Sequence, residues 1–524
     1  MKYLIRGGSI VDGTGAQPVR GDLLLSGSRI AARLAPGETG PTDAAVIDAT
    51  GRYVCPGFID VHSHADNSPL LDSDDRSKLM QGVTTEIVGN CGFSLAPAAP
   101  GRRMEFEEYL RRLFPPTSVR WSTFGEFMAH VDERGSVTNY CPMVGHGALR
   151  FAAVGMNRGL DSTELQRMRS ELEAALEAGA FGMSSGLVYP PGSSADSAEI
   201  TYLADALQGR IYATHQRAEG AHLMPSLAEA LDVARSTSAR LQISHLKAMG
   251  RPNWGATRAA LYAIDEASDA GASVAQDVYP YTATSTTLMS LLPPEFLVGT
   301  NQEVLDRLGS RGAVDRLREL LESGVDGWEN RAAYAGWGGV LVSYSASGAD
   351  QGRTLAAIAE EAGEDPVETL VRVLRRERLE VTASTFLMDE RDIEVVLRHP
   401  RTMIGSDGLP VGAAARPHPR LFGTFPRIFA KYVGSGRPLD FAEAVRRMTS
   451  LPAEWFRVPE RGLIRPGMIA DIVIVDPRTV SDTATYAEPE QYPEGVETVV
   501  LGGQPMVRDA GYCGERRGTR LEPA

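Results

Sequence analysis

Cys55-Pro56-Gly57-Phe58-Ile59-Asp60-Val61-His62-Ser63-His64-Ala65-Asp66 is an apolar run that ends in paired histidines. Such a run reads as a buried strand. His62 and His64 stand two apart, so on an extended chain both imidazoles point to one face. Two imidazoles converging at the end of a buried strand make half of a metal site. An isolated His-x-His is more often a pair of ordinary polar residues, so the rest of the chain must supply the missing ligands.

Outward from this stretch, short apolar strands alternate with amphipathic helices, the texture of repeated βα units. Residues 163–178 read as a helix ended at Gly179, and residues 181–184 as the strand that follows. Residues 241–245, 273–279 and 401–407 read as further strands. Residues 252–271 contain a helix, and 354–376 read as helix with a break near Pro366. Repetition on this scale predicts an α/β fold, a (β/α)8 TIM-like barrel. Residues 285–344 break the alternation and read as an insertion after a barrel strand. Residues 3–8, 21–27, 470–477 and 496–503 read as strands closed by turns. They predict a small β-sandwich domain built from both termini. The expected division is 1–56 plus 456–524 for that domain and 57–455 for the barrel, with 285–344 inserted in it.

Polar groups recur at the C-terminal ends of the predicted strands, the face where barrels build active sites. His62 and His64 follow the first strand, Cys91 follows 84–90, His215 follows 210–214, His245 follows 241–244 and Asp407 follows 403–406. One such residue is unremarkable, but six at matching ends argue against coincidence.

Composition bounds the alternatives. The chain has 524 residues, 43% of them hydrophobic, and a formal net charge of -14. That charge argues against nucleic-acid or anionic-membrane partners. Lysine is rare, at Lys2, Lys78, Lys247 and Lys431 only. The four cysteines, Cys55, Cys91, Cys141 and Cys513, form no C-x-x-C pair or disulfide framework. The first residues are too short in apolar length for a signal peptide, and no stretch reaches a membrane span. A cytoplasmic protein with reduced thiols is the expectation.

Several segments together are more specific: Gly57–His64, Gly82-Val83-Thr84-Thr85, Gly89-Asn90-Cys91-Gly92-Phe93-Ser94, Ser184–Gly192, Thr214-His215-Gln216-Arg217, Ser244-His245-Leu246-Lys247, Asp277-Val278-Tyr279-Pro280-Tyr281, Gly405-Ser406-Asp407-Gly408 and Arg416–Arg427. Through them nearly the whole chain resembles the amidohydrolase superfamily, and within it the N-acyl-D-amino-acid deacylases (D-aminoacylases). Asn-Cys-Gly and Ser-His-Leu-Lys carry most of the specificity. The resemblance implies a zinc-dependent hydrolase of the amide bond of small-molecule N-acyl-D-amino acids. Cys91, His215 and His245 would form a tight Zn2+ site, with His62, His64 and Asp407 lining a second, weaker one. Zinc lowers the pKa of water toward about 7. Asp407 would take the water's proton and return it to the leaving amine. Lys247 and Arg420 are the family-matching anchors for the substrate α-carboxylate, since Arg offers a bidentate fork. Tyr279 or Tyr281 would add a hydroxyl, and His146 would reach the carbonyl oxygen.

Other readings fare worse. Gly182-Met183-Ser184-Ser185-Gly186 matches G-x-S-x-G, but Tyr189-Pro190-Pro191-Gly192 follows, where a nucleophile elbow needs a helix. A dihydroorotase- or hydantoinase-like hydrolase of cyclic amides or imides needs a bridging lysine, and none ends a middle strand. A non-catalytic assembly protein of the same fold predicts missing ligands, and none is missing. Leu288, Met289, Leu291, Leu292 and Phe296 are either pocket residues, which would favour apolar D-amino acids, or the insertion's own core. Oligomeric state is not readable from the sequence.

Overall fold

Eight short strands carry the site: β1 (Phe58–Asp60), β2 (Val83–Val88), β3 (Asn139–Pro142, resumed at Val144–Gly145), β4 (Gly182–Gly186), β5 (Ile211–His215), β6 (Arg240–Ile243), β7 (Val274–Val278) and β8 (Thr402–Ile404). They belong to a computed structural model that describes residues 1–156, 159–410 and 416–524. Neighbours pair in parallel, β1 to β3 in one sheet and the resumed β3 through β8 in another. The ring closes between β8 and β1. There Asp407 N donates to His62 O at 2.6 Å and His64 N to Gly408 O at 2.9 Å.

Period-two burial separates the two faces of each strand. Ile59, Val61, Ile87, Ile211, Ala213, Ala275 and Met403 share the core inside the ring. Their neighbours Phe58, Val88, Tyr212 and Val274 pack outward against the helices. Side-chain caps start some of those helices, Ser162–Glu177, Ser197–Asp205 and Glu390–Arg398 among them. Asp161 closes a capping box with Glu164 at the start of Ser162–Glu177.

A nine-stranded sheet is made wholly from residues 2–56 and 472–512. Tyr53–Pro56 pairs antiparallel with Ile472–Val475. Alternation again splits the faces. Ile472 and Ile474 join the sheet's own core with Tyr3, Ile5 and Leu23. Val473 and Val475 pack into the main barrel cluster. The last residues leave this sheet: Leu521 N donates to Tyr140 O at 2.9 Å, and Leu521 packs with Phe456 at the barrel core.

Between β7 and β8 the chain leaves the ring to build an antiparallel sheet of Ala283–Thr287, Val381–Phe386 and Val340–Ser345. The inserted unit therefore runs on to Phe386 instead of ending at 344, because its central strand comes last in the chain. Leu288, Met289, Leu291, Leu292 and Phe296 belong to its own buried core, with Val340, Leu370 and Leu374. Among the described residues no helix is long and apolar enough to cross a membrane.

Candidate active site

Three residues at the strand ends have left-handed backbones: Cys91 (φ 53°), His245 (φ 37°) and Asp407 (φ 50°). A non-glycine residue there costs roughly 1–3 kcal/mol and persists only where its surroundings impose it. The loop after β2 shows how. Gly92 N donates to Ser184 Oγ at 2.9 Å, and Ser184 Oγ donates to Gly89 O. A Cβ on Gly186 would lie 2.1 Å from Cys91 O, so only glycine lets β4 approach the cysteine. Ser184 is thus a packing residue of β4, bonded to the loop that carries Cys91.

The strand ends bring two overlapping groups together. His62, His64, Cys91 and Asp407 offer ligand atoms within 4.8 Å of one another, and so do Cys91, His215 and His245. Cys91 Sγ lies 3.3 Å from His62 Nε2 and 3.5 Å from His245 Nε2. Asp407 Oδ1 lies 3.2 Å from His64 Nε2 and 3.5 Å from His62 Nε2. All six are buried. Asp277, at the end of β7, accepts from His245 N at 2.8 Å and faces His62 Nδ1 at 3.3 Å. His215 Nδ1 is buried without a hydrogen-bond partner among the described residues, and its Nε2 lies 3.3 Å from Glu219. A thiolate, imidazoles with open nitrogens and one carboxylate are the donor set that fits zinc.

Charge is concentrated here. Burial alone would push the Cys91 thiol up, but His62 and His245 hold it well below its ordinary value. Burial also opposes ionised Asp407, yet Arg420, then His62 and His64, keep its carboxyl well below the usual range. Burial disfavours charged His64, while hydrogen bonds to Asp407 and Cys91 push its pKa up to about 9. Such a cluster exchanges protons for a divalent cation.

The cationic candidates flank this cluster. Arg420 Nη1 lies 2.8 Å from Asp407 Oδ2, and its guanidinium stacks 4.7 Å from the Tyr279 ring. Lys247 Nζ donates to Glu219 Oε1 at 2.6 Å and lies 2.7 Å from His245 Nδ1. Tyr279 lines the cavity over the cluster, its buried hydroxyl unpartnered among the described residues. Tyr281 does not line it. Its hydroxyl donates to Pro419 O at 3.4 Å, and Arg427 covers its ring. His146 is also elsewhere: its Nε2 lies 2.7 Å from Glu199, which Arg150 pairs as well. It sits at the start of the helix His146–Val154, held by a carboxylate of the helix Ser197–Asp205, and lines neither cavity described below.

Sequence reasoning missed Glu219, Glu329 and Arg331. Glu219 is buried between His215 Nε2 (3.3 Å), His245 Nδ1 (3.0 Å) and Lys247. Its signal was a carboxylate four residues after His215. Burial opposes its charge, but His215, Lys247 and His245 hold its carboxyl well below the usual range. Glu329, from the inserted unit, accepts the backbone N–H groups of Glu219 (2.9 Å), Gly220 (2.5 Å) and His222 (3.4 Å). The narrow cavity over the cluster adjoins a wider one of about 340 Å³ walled by Leu187, Val188, Met289, Leu292 and Leu297. Phe93, Tyr189 and Arg331 line both.

A model of the amidohydrolase family matches residues 45–209 and 318–507. The chain is similar to N-acyl-D-aspartate deacylase from Alcaligenes xylosoxydans xylosoxydans, 35% identical over 99% of this chain and 95% of the relative. It is equally similar to D-aminoacylase from the same organism, 35% identical over 99% of this chain and 97% of the relative. Among solved structures it resembles N-acyl-D-glutamate deacylase from Bordetella bronchiseptica, in complex with zinc and a phosphonate inhibitor that mimics the tetrahedral intermediate. That likeness has a TM-score of 0.84 at 34% identity and covers 100% of this chain and 99% of the other.

Proposed function

Because the chain belongs to the amidohydrolase family, and within it to the N-acyl-D-amino-acid deacylases, we propose that it hydrolyses N-acyl-D-amino acids to a D-amino acid and a carboxylate. The observation that carries this reading is the convergence of Cys91, four strand-end imidazoles and Asp407 in two overlapping buried groups. Cys91, His215 and His245 would hold zinc tightly, and His62, His64 and Asp407 would line a weaker second position. Bound there, zinc supplies Lewis acidity and makes water a nucleophile at neutral pH.

The chain's own residues do the rest. Asp407 takes a proton from water and delivers it to the leaving amine, so one carboxylate serves as base and then acid. Arg420 pairs with it at 2.8 Å. A substrate carboxylate arriving at Arg420 competes for that pair and leaves Asp407 more basic. Lys247 and Tyr279 flank the same position, and we assign the hydroxyl role to Tyr279 over Tyr281. The wide cavity has mainly apolar walls, which supports a preference for apolar D-side chains. A net charge of -14 speaks against nucleic acid or an anionic membrane as partner. Unpaired Cys55, Cys91 and Cys141, all buried, support a cytoplasmic setting.

The test is turnover of matched N-acetyl-D- and N-acetyl-L-amino acids by zinc-loaded enzyme, with Cys91→Ala alongside. Cleavage of the D-series only, lost together with bound zinc in the variant, is the expected result. Zinc retention without cleavage of either series defeats the deacylase reading.

A further inference from the structure

Most cations around the two cavities are already matched. Lys247 is bonded to Glu219 and His245, and Arg420 to Asp407 and the carbonyl of Ser285. In the wide cavity Arg112 donates to Asn301 and the carbonyl of Gly299, and Arg217 pairs with Glu229. Arg331 is different. It is only 4% exposed. Its guanidinium makes no hydrogen bond or ion pair among the described residues, while its backbone N donates to Glu329 O at 2.9 Å. Its charge acts on Tyr189, a phenol that burial keeps neutral. Arginine cannot shed its proton, and a buried charge without a counter-ion is costly.

Arg331 is also well placed. Glu329, two residues earlier, is tied to the loop after β5 that carries Glu219. Arg331 lines both the narrow cavity over the strand-end cluster and the wide one. A planar fork that lines both cavities, with its pairing unmet among the described residues, is suited to a carboxylate.

We propose that Arg331 is a specificity-determining residue: the carboxylate-binding group that the inserted unit contributes to the substrate site. The identity of its ligand rests on the deacylase reading, since an N-acyl amino acid always carries an α-carboxylate. An acidic side chain would present the same chemistry. Lys247 and Arg420 must give up resting pairs with Glu219 and Asp407 to meet a carboxylate, whereas Arg331 has no such pair to displace among the described residues.

The experiment compares zinc-loaded wild type, Arg331→Met and Arg331→Lys on N-acetyl-D-leucine and N-acetyl-D-glutamate. Calorimetric binding of the non-hydrolysable N-methylsulfonyl-D-leucine and N-methylsulfonyl-D-glutamate runs in parallel. Arg331→Met is expected to raise KM at least tenfold with kcat little changed, to weaken binding by the same factor, and to be partly rescued in Arg331→Lys. Equal losses for both side chains assign the α-carboxylate, and a loss confined to glutamate assigns the side chain. Either supports the proposal. Unchanged KM and binding overturn it, as does a fall in kcat alone, which would make Arg331 only a support for Glu329. If wild type turns over neither substrate but binds the sulfonyl ligands through Arg331, the deacylase reading fails and this proposal stands. Absence of all binding ends both.

Discussion

Two buried charge clusters lie side by side at one end of the barrel, and only one of them faces open space. In the first, Lys78 Nζ lies 3.2 Å from Asp60, 3.1 Å from Glu86 and 3.1 Å from Ser63 Oγ. Glu86 also accepts from Ser63 Oγ at 2.6 Å and Thr138 Oγ1 at 2.7 Å, and Asp60 from Ser406 N at 2.8 Å. Lys78 and Asp60 are wholly buried, and the one ammonium serves both carboxylates. In the second, Cys91, His215, His245 and Asp407 border a cavity, while His215 and the Tyr279 hydroxyl keep buried atoms unpartnered among the described residues. Burial of charge therefore does not by itself mark a working site. Unfilled bonding capacity beside a void does. The closed cluster ties β1, β2 and β8 together, and the open one uses the ends of those same strands.

Breaking each cluster in turn tests the distinction. The largest effect belongs to Asp407→Asn, which removes the proposed proton carrier and is expected to lower kcat by about 10²–10⁴ while tight zinc is retained. Steady-state kinetics with metal analysis decides it, and an unchanged kcat would move Asp407 out of the chemistry. Lys78→Met leaves Asp60 and Glu86 buried without their counter-charge, so the expected cost is about 3–5 kcal/mol of stability. Denaturant titration reads that loss, while kcat per folded molecule stays within about threefold of wild type by the division drawn here. A large kcat loss at full stability would merge the two clusters. Glu219→Gln is the subtlest. It keeps the shape but removes the charge on the far side of His245, and the expected loss of zinc affinity is about 10–100-fold. Competition with a chelating dye measures it. An unaltered zinc affinity would return Glu219 to the structural side of the comparison.

Much of this was legible because the local pattern and the fold agree. The apolar strands ending in His62, Cys91, His215, His245 and Asp407 needed only period-two reasoning and the barrel's habit of gathering its strand ends. What escaped depended on partners distant in the chain. His146 looked available until Glu199, on another helix, came into contact with it. Tyr279 and Tyr281 are two apart, and distant partners separate them: Arg420 stacks on the first, while Arg427 and the Pro419 carbonyl hold the second. Arg331 lies in a unit whose central strand, Val381–Phe386, is supplied after both of its neighbours, so periodicity could not bound it.

The sheet made from both ends of the chain has a consequence for synthesis. Tyr53–Pro56 leaves the ribosome early and has Ile472–Val475 as its neighbour on one side. That edge stays open while the whole catalytic ring is being translated. The ring must therefore close, and its metal-ligand loops take their strained shapes, before the outer face of β-structure beside it is complete. Nascent chains halted short of residue 472 should expose an unpaired strand edge, and so be more prone to aggregate than their barrel alone would suggest.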